Sequence, residues 1–189
     1  MYLTLNEEKN SVITKAESYC NDENLQVNLY YDLPDSILET ISERSRELPS
    51  LYYVSVAMLK SRLENGCFLI TRPNKEVVGH IFAHKHNVNN HLVYERASLW
   101  VHPDYRNCNL GLLLMSKMTQ LYNQEFLISI AQTPKVHYYN ELLGMTHITL
   151  AEMSKVLVDT LEEIGKLRDE MKYKYFVNAY FEKQIRELR

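Results

Sequence analysis

The chain has 189 residues, 46% hydrophobic and 24% charged, which is enough apolar material for one compact domain and too much for wholesale disorder. A formal net charge of -3 with a pI near 6.2 leaves no basic footprint for nucleic acid or an anionic membrane surface, so neither is expected as a partner. No apolar run approaches the ~20 residues of a membrane helix. The N-terminus MYLTLNEEKN lacks the basic and apolar regions of a signal peptide. Cys20, Cys67 and Cys108 are far apart and without C-x-x-C spacing, which argues against a disulfide framework or a zinc cage. A soluble, cytoplasmic protein is the expectation.

Residues 1–25 are polar and mixed, a short helix or an irregular lead-in. Gln26–Asp32 has the branched and aromatic content of a strand. Pro34-Asp35 suits a helix start, with Ile37, Ile41 and Leu48 recurring at helical intervals until Pro49-Ser50. A second helix over about Leu51–Glu64 presents Leu51, Val54, Met58, Leu59 and Leu63, and Gly66 stops it. Cys67–Thr71, Glu76–His84 and Leu92–Val101, with turns at 72–75 and Asn87–Asn90, read as an antiparallel meander. His102-Pro103 ends it. A helix over about Leu110–Asn123, an apolar strand Phe126–Ala131, a helix Pro134–Leu143 stopped by Gly144, and a strand at His147–Leu150 follow. Ser154–Met171 carries Val156, Leu157, Leu161, Ile164 and Leu167 as the stripe of an amphipathic helix, either core or a dimer surface. Tyr173–Phe181 is aromatic, and strand or helix remain open for it. The fold class is α+β: a mixed, mostly antiparallel sheet flanked by helices over residues 1–153, with residues 154–189 as a helical and aromatic extension.

Chemistry concentrates in Glu95–Gly111. A strand ends at Val101, a Pro-containing turn follows, and R-N-C-N-L-G opens a helix. Unpaired N–H groups and the dipole at such a helix start form an anion site suited to phosphate. Asn109 is among the few non-glycine residues that tolerate the left-handed conformation. Glu95 stands in an otherwise apolar strand, where a carboxylate is costly unless exposed or used.

The run LWVHPDYRNCNLGLLL (99–114) resembles the acetyl-CoA-binding signature of the GNAT superfamily of acyl-CoA N-acyltransferases: an apolar strand, V-x-P-x-Y/F-R, then R/Q-x-x-G-x-G/A opening a helix. Val77–Ile81 looks like the family's V-G-x-x strand, and Tyr138–Met145 is similar to its helix ending in Y-x-K-x-G-F. The resemblance covers about residues 26–150 by element order and concentrates in 77–124. It implies acetyl transfer from acetyl-CoA, without a metal, to a primary amine by direct attack. It places pyrophosphate on the amides of Arg106, Asn107, Cys108, Asn109, Leu110 and Gly111. Pantetheine would lie along Leu99, Trp100 and Val101. Three departures stand out: Asn109 replaces the first glycine of the loop; Asn140, counted with the cofactor-binding residues, occupies the family's tyrosine position four before Gly144; and the helix expected over 154–171 falls where the family forms its last two strands, which would make Tyr173–Phe181 a displaced final strand of the same domain.

Glu95 lies sixteen residues before Gly111, the offset of the glutamate base in the histone-acetylating branch. Partial burial would raise its pKa toward a base's useful range; the alternative is an ion pair with Arg96 or another surface cation. Tyr139, ahead of Tyr138, is the substitute acid; packing is the alternative for both. His80, His84 and His86 share one strand face, solvated or lining the substrate site rather than holding a metal. Cys108 has no base beside it and reads as structural. Two rival readings are a non-catalytic acyl-CoA-binding regulatory module and an interaction protein forming a homodimer through its C-terminal helix.

Overall fold

The computed structural model describes residues 4–47, 53–88, 91–153, 158–159, 161–162 and 165–187. The elements in chain order are α1 (Leu5–Asp22), β1 (Gln26–Tyr30), α2 (Asp35–Glu47), α3 (Val56–Leu63), β2 (Cys67–Thr71), β3 (Val77–Val88) and β4 (His91–Val101). A short 3-10 turn (Pro103–Tyr105) precedes α4 (Leu110–Leu121), β5 (Phe126–Ala131), α5 (Pro134–Leu142), β6 (Thr146–Ile148), β7 (Lys174–Val177) and α6 (Ala179–Glu187). The strands form one sheet in the order β1-β2-β3-β4-β5-β7-β6. Its β4–β5 pair is parallel, whereas β1–β2, β2–β3, β5–β7 and β7–β6 are antiparallel, giving the expected mixed α+β class.

Two compact units divide the chain, and β3 and β4 run through both. The first comprises Ser11–His84 and Ala97–Met118. Its core sets Leu38 and Ile41 of α2 and Leu59 and Leu63 of α3 against Cys67, Leu69, Val77 and Phe82 of β2 and β3. Helix α3 begins later than its apolar stripe predicts, because Ser55 caps it and its hydroxyl accepts the Met58 amide. The second unit comprises Met1–Asn10, Lys85–Arg96 and Thr119–Arg189. There Val93, Ile128, Ile148, Tyr175, Val177 and Phe181 pack with Met153 and Leu161.

Three expectations change. The lead-in is an 18-residue helix. Thr4 and Glu7 form a reciprocal cap at its start, the Thr4 amide donating to Glu7 Oε2 at 2.8 Å and the Glu7 amide to Thr4 Oγ1 at 3.3 Å. Strand β3 runs on to Val88, through the first residues of the predicted turn; Asn89 and Asn90 lie outside the described residues. The helix expected over Ser154–Met171 does not reach its end. Gly165 takes φ 66° and the chain from Lys166 to Arg168 is irregular. Val156, Leu157, Ile164, Pro49-Ser50 and the predicted start at Leu51 lie outside the described residues. Tyr173–Phe181 resolves into strand and then helix, with β7 hydrogen-bonded between β5 and β6.

Candidate active site

In the first unit, the segment from Val101 to α4 is fixed before any ligand is considered. The Tyr105 hydroxyl is buried under Arg72, whose Nε donates to it at 2.7 Å and whose Nη1 pairs with Glu76 Oε2 at 2.8 Å. Arg106 Nε donates back to the Val101 carbonyl at 3.2 Å, so strand end and loop are tied together. Asn109 takes φ 57°, the left-handed turn that a glycine would supply, and its carbonyl accepts the Leu113 amide at 3.1 Å. Helix α4 therefore opens at Leu110 with its first-turn amides outside the helical ladder. Within the loop itself, the Arg106 amide donates to the Pro103 carbonyl at 3.2 Å and the Cys108 amide to the Tyr105 carbonyl at 3.4 Å, so these two expected pyrophosphate donors are already engaged. Cys108 lies against the Tyr19 hydroxyl, which this contact above all pushes up to about 12. Gly79 of β3 faces α4 closely: a Cβ there would stand 3.3 Å from Leu114 Cδ1 and 3.5 Å from the Trp100 carbonyl.

Ser98 interrupts β4 with φ 53°. Its hydroxyl accepts Arg62 Nη1 at 2.7 Å and its carbonyl accepts His80 Nδ1 at 2.7 Å, so the break is held from two sides. Trp100 stacks on the His80 ring, centroids 5.5 Å apart, with the Arg44 guanidinium 4.2 Å from the indole centroid. Leu99 and Val101 beside it are half-buried. His80 is neither solvated nor surface-lining: burial holds its pKa down to about 3, leaving a neutral ring in the core.

In the second unit, β4 places two charged residues side by side. Glu95 is 6% exposed and Arg96 is 6% exposed, with their side chains on opposite faces of the strand. Glu95 Oε2 lies 2.9 Å from His86 Nε2, and Lys166 Nζ stands 3.2 Å from Oε1 and 3.1 Å from Oε2. The predicted rise in its pKa is overturned. Burial does push the carboxyl up, but the hydrogen bond from His86 and the Lys166 charge outweigh it and hold Glu95 at about 2. Nor is Arg96 its partner. His86 is buried as well, contrary to the solvated reading, and a cation bound at Glu95 would have to displace Lys166. Lys166 does not figure in the sequence-derived site, and His86 figures there only as a solvated or substrate-lining residue, not as a partner of Glu95. His86 was within reach, since a strand histidine can face a strand carboxylate across a hairpin, but nothing local in the sequence points Lys166 at Glu95.

Arg96 donates to Thr119 Oγ1 at 2.7 Å and to Asn140 Oδ1, and lies on Met145 Sδ. Burial pushes the guanidinium down to about 9, still charged at neutral pH. Asn140 is fully buried, with its carbonyl oxygen on Arg96. Tyr139 beside it is buried, which raises its pKa, and Lys135 Nζ lies 5.8 Å from its ring centroid. Tyr138 is exposed and its hydroxyl donates to Glu8 at 2.5 Å. Strand β5 pairs with β4 only over Phe126–Ile128, while its pairing with β7 runs from Ile128 to Ala131.

Comparison with known proteins now bears on this arrangement. The family model described as the acetyltransferase (GNAT) family matches residues 31–145. Among solved structures, a GNAT-family acetyltransferase from Staphylococcus aureus Mu50 superposes with a TM-score of 0.57 at 11% identity, covering 82% of this chain and 99% of that one. Arabidopsis thaliana Naa50, solved with the bisubstrate analogue CoA-Ac-MVNAL, gives 0.55 at 15% identity over 80% and 96%. N-acetylglutamate synthase from Neisseria gonorrhoeae, complexed with coenzyme A and N-acetylglutamate, gives 0.59 at 12% identity over 81% of this chain and 35% of that one. No curated protein sequence matches.

Proposed function

Because the chain belongs to the GNAT family of acetyltransferases, we propose that it transfers an acetyl group from acetyl-CoA to a primary amine by direct attack. The observation that carries this is Asn109: at φ 57° it keeps the glycine-like turn opening α4, so the departure from the family motif leaves the backbone cradle intact. In this reading, the amides of Asn107 and of Asn109 to Gly111 hold the pyrophosphate, with Arg106 and Cys108 shaping the loop, and the backbone of Leu99–Val101 holds the pantetheine. Acetyl-CoA supplies the thioester that the amine attacks. Glu95, ionised at neutral pH, anchors the acceptor ammonium, and His86, 2.9 Å from its Oε2, is the group beside it that carries the proton away. Tyr139, whose proton burial retains, returns a proton to the departing thiolate. The related structures solved with a peptide-bearing analogue and with an acetylated amino acid support an amine acceptor of that kind.

One observation favours a second reading. Asn140 stands where the family's tyrosine acid would be and is engaged with Arg96, as in a domain that binds acyl-CoA without turnover. Calorimetry with acetyl-CoA, then thiol release over a panel of amines, separates the two. Binding with amine-dependent release is expected for the enzyme, and binding without release for the module. Asn109→Gly should bind as the parent does, while Asn109→Val should weaken binding by roughly tenfold, since a branched residue pays about 1–2 kcal/mol in that conformation. Equal affinity in parent and Asn109→Val would remove the loop from the site.

A further inference from the structure

At φ 53°, inside a strand that runs to Val101, Ser98 holds a conformation that glycine adopts without strain and serine does not. Such a residue persists where its surroundings over-determine it. Arg62, 5% exposed, donates Nη1 to the Ser98 hydroxyl at 2.7 Å, and His80, 2% exposed, meets the Ser98 carbonyl through Nδ1 at 2.7 Å. A carbonyl only accepts, so the ring proton sits on Nδ1 and Nε2 keeps a bare lone pair. That buried lone pair has no hydrogen-bond partner among the described residues. An unpaired buried acceptor is costly, and an apolar ring of similar shape would avoid the cost. What the imidazole contributes beyond such a ring is its bond to Ser98. Its plane is set by Trp100, stacked at 18°, and by Phe82, edge-on with centroids 5.8 Å apart. Burial, and with it the nearby Arg44 charge, keeps the ring neutral and so in one tautomer.

Directly after the kink comes Leu99–Val101, the backbone assigned above to the pantetheine, in the same compact unit as His80, Arg62 and Ser98. Beyond it the His102 amide returns to the Val78 carbonyl at 2.8 Å, so the segment is bracketed between that bond and the Ser98 contacts. Successive residues of a strand point to alternate sides, and one residue turned out of the extended range re-aims those that follow. We propose that His80 is a positioning residue for acetyl-CoA: through the Ser98 carbonyl it holds the kink that aims the Leu99–Val101 backbone at the pantetheine arm. The inference rests on the acetyltransferase reading and adds to it a residue that acts through another rather than on the reacting atoms. Without the His80 bond, Ser98 relaxes toward extended backbone, and acetyl-CoA must restore the kink at the expense of its own affinity. Arg62 still holds the hydroxyl, so the loss is partial.

The test compares acetyl-CoA binding by calorimetry, and thiol release at saturating amine, in the full-length parent, His80→Phe and His80→Asn, each checked for folding by circular dichroism. His80→Phe should raise Kd and KM for acetyl-CoA about tenfold and leave KM for the amine within about twofold. His80→Asn puts a side-chain N–H where Nδ1–H stands and should stay within about threefold of the parent. In a Ser98→Gly background, where φ 53° carries no strain, His80→Phe should cost less than about threefold. Should His80→Phe misfold, nitrogen NMR of the histidine-labelled parent serves instead. The signal missing from His80→Asn should show its proton on Nδ1 and should shift when acetyl-CoA binds. A proton on Nε2, or a ring signal indifferent to bound acetyl-CoA, would overturn the proposal. So would parental affinity in folded His80→Phe, or equal losses in His80→Phe and His80→Asn, which would assign the ring to packing. These results leave the acetyltransferase reading standing, whereas a parent that binds no acetyl-CoA would remove both.

Discussion

Glu95 and Arg96 are chain neighbours on β4, equally buried, yet their charges are accommodated by different means. Glu95 meets a cation and an imidazole, Lys166 and His86. Arg96 meets neutral groups of Thr119, Asn140 and Met145. On the first face Coulomb attraction overrides desolvation and pushes the carboxyl below its ordinary range. On the second face burial pushes the guanidinium down, toward neutrality. A charge held by another charge can exchange its partner for a ligand's charge. Arg96, donating to a hydroxyl and an amide oxygen, joins β4 to Thr119 of α4 and Asn140 of α5.

The largest effect is expected on the Arg96 face. Asn140→Leu removes an acceptor from a buried guanidinium and should lower stability by about 3 kcal/mol, read as a fall in the urea midpoint. A loss below about 1 kcal/mol would mean that Arg96 is satisfied without Asn140. Next comes acid. The folded pKa of Glu95, about 2, lies below its ordinary 4.5, so its contribution is present above pH 4.5 and fades as pH falls through that window toward 2. The loss should be roughly 2–3 kcal/mol and should shrink in Glu95→Gln, whose urea midpoints would fall less steeply across the same pH range. The smallest effect belongs to Lys166→Met, about 1 kcal/mol at neutral pH, because the lysine head is partly solvated. Its signature lies elsewhere: with burial less opposed, the folded pKa of Glu95 should rise toward 4.5, so the acid loss should be smaller and should level off at higher pH. Asn140→Leu should leave that end point in place. An unmoved end point in Lys166→Met would remove the Lys166 charge from the causes of the depressed pKa.

Much of the fold can be read from the sequence because local signals agree with it. The branched and aromatic content of β1, the meander of β2, β3 and β4, the stops at Gly66 and Gly144, and the turn after Val101 are all in place. Asn109 adopts the left-handed turn that its residue type permits. Helix α1 is longer than its polar composition suggests, although Thr4-x-x-Glu7 marks its start as a reciprocal cap. Aromatic crowding in Tyr173–Phe181 leaves strand and helix undecided until β5 and β6 supply the hydrogen bonds for a strand. The site is less legible than the fold. Isolation in an apolar strand singles out Glu95, but the sign of its pKa shift depends on Lys166, 71 residues away in sequence. Asn140 reads as a missing acid, and only the fold shows Arg96 reaching it. Long-range pairings of this kind leave no local periodicity to find.

Strand β7 lies between β5 and β6, although both are synthesised before it. During translation, therefore, two strands that precede it in the chain present unmatched backbone edges to each other's vicinity until the intervening strand arrives. Closure of that half of the sheet is a late, non-local event, and nascent chains stalled before Lys174 would carry exposed pairing edges of the sort that chaperones shield.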